Sequence, residues 1–161
     1  MLHDLVIHEN EATRIGQVLA SFLEESGASE ALLIDRSGQL LASTGKAPSF
    51  DTVSISALAA GAFSSTGAIA ELLGETEFSV LFHQGVRESI HVSTVDRESI
   101  LLAIFNDGTT VGMVRLFAKE ACRAIGAILA EARTQPRRVG ALAAPLTADE
   151  ARGGRIGPET R

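Results

Sequence analysis

Tryptophan and tyrosine are absent from the 161 residues, and phenylalanine occurs only seven times. A platform that stacks bases or sugar rings would have almost nothing to be built from. The single cysteine, Cys122, excludes any internal disulfide framework. It sits in an apolar helical pattern, which makes it a small buried hydrophobe rather than a nucleophile. No Lys/Arg run precedes the C-terminal stretch and the formal net charge is −6, so a nucleic-acid footprint is not expected. No stretch approaches about 18 consecutive apolar residues. The start, Met1-Leu2-His3-Asp4-Leu5, has neither a basic opening nor an apolar run, so secretion and membrane spanning are not expected and the chain reads as cytoplasmic.

Catalytic and metal-binding patterns are also missing. The four histidines, His3, His8, His83 and His91, are scattered, with no His-x-x-x-His, Glu-x-x-His or paired-cysteine spacing around them. His83 and His91 stand where they would face each other across a hairpin; since polar edge positions commonly carry histidine, they read as surface residues. Gly-x-Ser-x-Gly and Gly-x-Gly-x-x-Gly do not occur. Gly45-Lys46 resembles the end of a phosphate loop, but Gly38 is seven residues before Gly45 and Ala47 stands where Ser or Thr would hold magnesium. No metal, cofactor or bound nucleotide is therefore expected, and the chain is not itself an enzyme. Arg36, Arg87, Arg97 and Arg115 could reach a partner's phosphate site, as arginines supplied in trans do. Each reads first as a solvated charge.

What is present is enough apolar sequence, 45% against 21% charged residues, for one domain with a real core. Ala12, Ile15, Leu19, Phe22 and Leu23 recur at helical spacing over 9–26, with Gly27 as the stop. Ala31–Ile34 and Leu40–Ala42 flank the turn Asp35-Arg36-Ser37-Gly38, predicting an antiparallel hairpin. Strand alternation returns at 77–82 and 89–93, both expected to be half-buried, and Ser99–Phe105 is apolar at successive positions, so both its faces should be covered. The first and fifth strands are thereby placed centrally and the others towards the edges. Val111 to Ala132 carries a third helical stripe, ended by Pro136; beyond it the composition predicts a disordered tail, 136–161.

The segment between Asp51 and Gly74 is the least ordinary. Asp51 reads as an N-cap and Gly74 as a C-terminal stop, yet the helix between them holds Gly61 and Gly67, each costing about 1 kcal/mol against alanine. Ala57, Ala60, Gly61, Ser64, Ser65 and Ala68 form a row of small residues suited to close approach by another surface. Ile55, Leu58, Ile69 and Leu72 are expected to pack on the protein's own sheet from another side.

The order helix, strand, strand, helix, three strands, helix resembles the Roadblock family, in particular its bacterial MglB branch. The likeness rests on Leu33-Ile34-Asp35-Arg36-Ser37-Gly38-Gln39-Leu40, Leu58-Ala59-Ala60-Gly61, Leu72-Leu73-Gly74-Glu75, Phe82-His83-Gln84-Gly85, Ile104-Phe105-Asn106-Asp107 and Gly112-Met113-Val114-Arg115-Leu116. It departs at Ala62, where the branch usually has asparagine, and at Ser64-Ser65, which replace a more alanine-rich pair. The resemblance implies a Roadblock domain over 1–135, an α/β/α sandwich with a five-stranded, mainly antiparallel sheet and helices on both faces. It further implies a homodimer, with second helices side by side and third strands joined, binding a Ras-like GTPase of the MglA type. Such a dimer stimulates GTP hydrolysis without donating an arginine and acts in cell polarity or motility. By carry-over, Gly61, Ser64, Ser65 and Ala68 are the GTPase contacts. The alternative is a Roadblock scaffold that binds a small GTPase or a sensor without stimulating hydrolysis.

Overall fold

The computed structural model describes residues 5–46 and 50–135. Helix α1 (Glu9–Ser26) turns Ile15, Leu19 and Phe22 inward and stops at Gly27, whose φ of 74° is the left-handed conformation that favours glycine. Strands β1 (Glu30–Asp35) and β2 (Leu40–Gly45) pair antiparallel. Their turn is held by Asp35, whose Oδ1 accepts from the Ser37 hydroxyl at 2.6 Å and the Gln39 N–H at 2.9 Å. Helix α2 (Thr52–Leu72) is capped by Asp51, which accepts from the N–H groups of Val53 and Ser54 at 3.0 and 3.3 Å. It unwinds at Gly74, with φ 78°. Strands β3 (Val80–His83), β4 (Ser89–Thr94) and β5 (Ser99–Phe105) follow, and α3 (Val111–Thr134) begins at Thr110, whose hydroxyl accepts from the Met113 N–H. The helices thus fall where periodicity and caps place them. The tail expected over 136–161 lies outside the described residues.

All strand pairings are antiparallel, in the order β2-β1-β5-β4-β3. Every residue of the central strand β5 is buried, as a run apolar on both faces requires. One face carries α1 and α3, packed on Ala31, Leu33, Leu101, Ala103 and Phe105. The other carries, among the described residues, α2 alone, whose Ala59, Ala60 and Phe63 meet Leu32, Ile34, Ile100, Leu102 and Ile104. Alternate strand residues feed alternate cores, giving a three-layered α/β/α sandwich.

Two strand expectations need correction. β4 is an inner strand with His91, Val92 and Ser93 all buried; its polar residues misled because they lie beneath α3, where Ser93 Oγ meets Cys122 Sγ at 3.3 Å. β3 is shorter and more exposed than expected, beginning only at Val80, with Val80 and Phe82 open to solvent. His83 and His91 do not face each other: His83 pairs with Ile90, and His91 with Phe82, so the two imidazoles project to opposite faces of the sheet.

Candidate functional site

α2 is held to the sheet by Ser56, Ala59, Ala60, Phe63 and Ala70. The Ser56 hydroxyl is satisfied within the helix by donating to the Thr52 carbonyl at 2.7 Å. Small residues let the helix come close, and the β1–β2 turn comes closer still. A Cβ on Gly38 would stand 2.9 Å from the Ala57 Cα, and the Arg36 guanidinium lies 5.4 Å from the Phe63 ring centre. The side expected to pack on the sheet is mostly outside: Leu58 is 73% exposed, Ile69 51% and Leu72 88%, and only Ile55 packs against the core. By length and composition this helix could cross a membrane, but its buried stripe is committed to the sheet.

The four residues carried over as contacts, Gly61, Ser64, Ser65 and Ala68, are all exposed on α2. Ala57 is exposed with them, whereas Ala60 of the same row is buried. The Ser65 hydroxyl turns back to donate to the Gly61 carbonyl at 3.0 Å, leaving the surface there nearly apolar. A Cβ added to Gly61 or Gly67 would meet nothing within 4 Å. Nothing among the described residues requires glycine at either place.

A pattern that the sequence reading missed runs beside this row. Ile55, Leu58, Ala62, Ser65, Ile69 and Leu72 follow one another at steps of three and four, the spacing of a coiled-coil seam. Their sizes read large, large, small, small, large, large, the same in either direction. Such a series fits an antiparallel copy of itself, Leu58 against Ile69 and Ala62 against Ser65. The heptad spacing was the available signal.

The remaining exposed apolar surface includes β3. Its outer edge pairs with no strand among the described residues, and none of Val80, Leu81, Phe82 and His83 is Lys or Pro, the usual guards of such an edge. Phe82 stacks on Phe105, ring centres 6.1 Å apart.

No constellation of reactive groups competes with these surfaces. Burial pushes the Cys122 thiol up from its ordinary value, and burial together with the Arg115 charge pushes His91 down. No three His, Cys, Asp or Glu side chains gather among the described residues. Arg36 is tied to Glu77 at 3.6 Å as well as to Phe63. A groove of about 440 Å³ lies between α1 and α3, lined in part by Val18, Phe22 and Phe117.

With a three-layered sandwich, an open apolar helix and an open strand edge in view, the chain belongs to the Roadblock/LC7 family, whose domain matches residues 14–105. Within that family it is similar to three MglB structures. Myxococcus xanthus MglB is 34% identical over 80% of this chain and 96% of its own, with a TM-score of 0.74. The gliding protein MglB from Thermus thermophilus is 35% identical over 80% and 97%, with a TM-score of 0.75. A structure described as MglB with tetrameric arrangement is 35% identical over the same shares, with a TM-score of 0.76. Among curated proteins none matches the chain.

Proposed function

We propose that this MglB-like Roadblock protein is a cytoplasmic homodimer that binds a small Ras-like GTPase of the MglA type and stimulates its GTP hydrolysis, controlling cell polarity or motility. One observation carries the reading: α2 offers solvent a nearly uncharged face of small residues bordered by Leu58, Ile69 and Leu72. A single copy has no use for such a surface. The seam from Ile55 to Leu72 serves the second copy, and the row Ala57, Gly61, Ser64, Ala68 beside it takes the GTPase, with Ser65 shared between the two. Stimulation is positional. The dimer holds the GTPase's own switch residues in place and lends no side chain to the phosphate.

The test is GTP turnover by an MglA-type GTPase with and without this protein, with light-scattering masses of the same mixtures. Faster turnover in a complex of two copies to one GTPase supports the activator. A complex without acceleration leaves the scaffold, and no complex removes the GTPase from the reading.

A further inference from the structure

On the sheet face opposite α2, Arg115, Lys119 and Arg123 follow one another every fourth residue along α3. All three are exposed, and none joins an ion pair among the described residues. Like charges at this spacing repel and weaken a helix, and the row stands on a molecule whose net charge is −6. Of the acids of the same helix, Glu131 is engaged with Arg14 on the α1 side, and Glu120, one turn before Arg123, forms no ion pair with the row among the described residues.

The surface beside the row is apolar. Cys122 meets Ser93, and the Arg115 charge bears on His91, so this side of α3 lies over β4. Phe82 and Val80 pair with His91 and Ser93, so they share that face one strand further out, at the foot of the helix, 39% and 36% exposed. Beneath lies His91, 1% exposed, with neither ring nitrogen hydrogen-bonded. On the other side of the row, away from β3, Leu116 stands one turn before Lys119 and is 62% exposed.

We propose that this corner between α3 and β3 is a docking site for an acidic protein segment with apolar side chains, carboxylates along Arg115, Lys119 and Arg123 and apolar groups on Val80, Phe82 and Leu116. Charge complementarity selects the acid, and the shape selects a chain over a lipid surface. A narrow segment reaches Phe82 at the foot of the helix, whereas a flat bilayer rests on the crest. Its charged and apolar groups all belong to one copy, and the corner does not depend on which residues of α2 take the GTPase.

The experiment is fluorescence anisotropy of a labelled synthetic peptide that alternates glutamate pairs with leucine and phenylalanine, titrated with the full chain. Its counterpart with lysine for glutamate and phosphatidylglycerol vesicles run alongside. The acidic peptide is expected to bind, more weakly at high salt, and at least about tenfold more weakly to the double variant Arg115→Glu, Lys119→Glu. Leu116→Ser, which keeps the charges, is expected to weaken binding as well. Thermal melts establish that both variants fold. An acidic peptide that fails to bind, equal binding of the lysine counterpart, charge variants that bind as the parent does, or a preference for vesicles would each overturn the proposal.

Discussion

At the residue scale the glycines separate into those the fold needs and those it does not. Gly38 has φ 96° and lies against Ala57, so Gly38→Ala is expected to destabilise the chain by about 1–3 kcal/mol in urea titrations. Gly61 has helical backbone and open space around it. Gly61→Ala should therefore stabilise the fold by about 1 kcal/mol while weakening the proposed GTPase contact; a stabilised variant that binds the GTPase as well as the parent would show that no backbone approaches there. Two buried ionisable groups contribute to the pH response with opposite sign. Burial, then the Arg115 charge, pushes His91 below its ordinary 6.5, so the unfolded chain takes the proton first and stability falls as pH drops through and below 6.5. Burial pushes Glu30 above its ordinary 4.5, so the folded chain holds that proton longer and stability falls as pH rises through and above 4.5. His91→Leu is expected to flatten the acid-side loss, and Glu30→Gln to gain stability near neutrality, both read from urea midpoints across pH. An unchanged acid slope in His91→Leu would place the sensitivity elsewhere.

At the element scale the question is why α1 and α3 were legible to their ends and α2 only in outline. α1 and α3 set most of their charged residues apart from their apolar ones, so most of each inner stripe follows from period; the exception is the start of α1, where Glu11 is buried and Ala12, expected on the stripe, is exposed. In α2 only Glu71 is charged, and a helix apolar nearly all round gives no sign of which side faces the sheet. Packing made the choice: the small Ala59 and Ala60 admit close approach, Phe63 fills the space beneath, and the larger Leu58, Ile69 and Leu72 are left outside. β4 deceived for the converse reason, since His91 and Ser93 are polar yet covered by α3. The exposure of Gly61, Ser64, Ser65 and Ala68 was legible because small residues and glycines at one face of a helix do little for a core of its own. The heptad spacing through Ala62 and Ser65 was hidden by the small residues at its centre. If the row takes the GTPase, Ser64→Arg or Ala68→Arg should abolish binding and leave a folded dimer, because a long cation clashes there and must be desolvated; normal binding by either variant would remove the assignment. Single replacement of Arg36, Arg87, Arg97 or Arg115 by Ala should leave stimulated hydrolysis intact, and a loss of about a hundredfold from one of them would reveal an arginine finger.

At the scale of the whole molecule, Leu58, Ile69 and Leu72 stand outside a finished core, each forgoing up to about 1–2 kcal/mol of burial, a part of the full value in proportion to its exposure, that a second copy would restore. Folding and association are then linked, and the melting temperature should rise with protein concentration. The palindromic seam makes the register testable. In an antiparallel pairing Leu58 of one copy meets Ile69 of the other at two symmetric places; in a parallel pairing each would meet its own equivalent. Leu58→Glu alone and Ile69→Lys alone bury an unpaired charge at both places and should yield monomers by light scattering, with melting temperatures independent of concentration. The two changes in one chain set Glu against Lys twice in the antiparallel arrangement, so the double variant should recover part of the dimer, and lose it again at high salt. A parallel seam would set Glu against Glu and Lys against Lys, and the double variant would be no better than either single. Dimers that persist in both single variants would instead place the contact on another surface, with the β3 edge the first to examine.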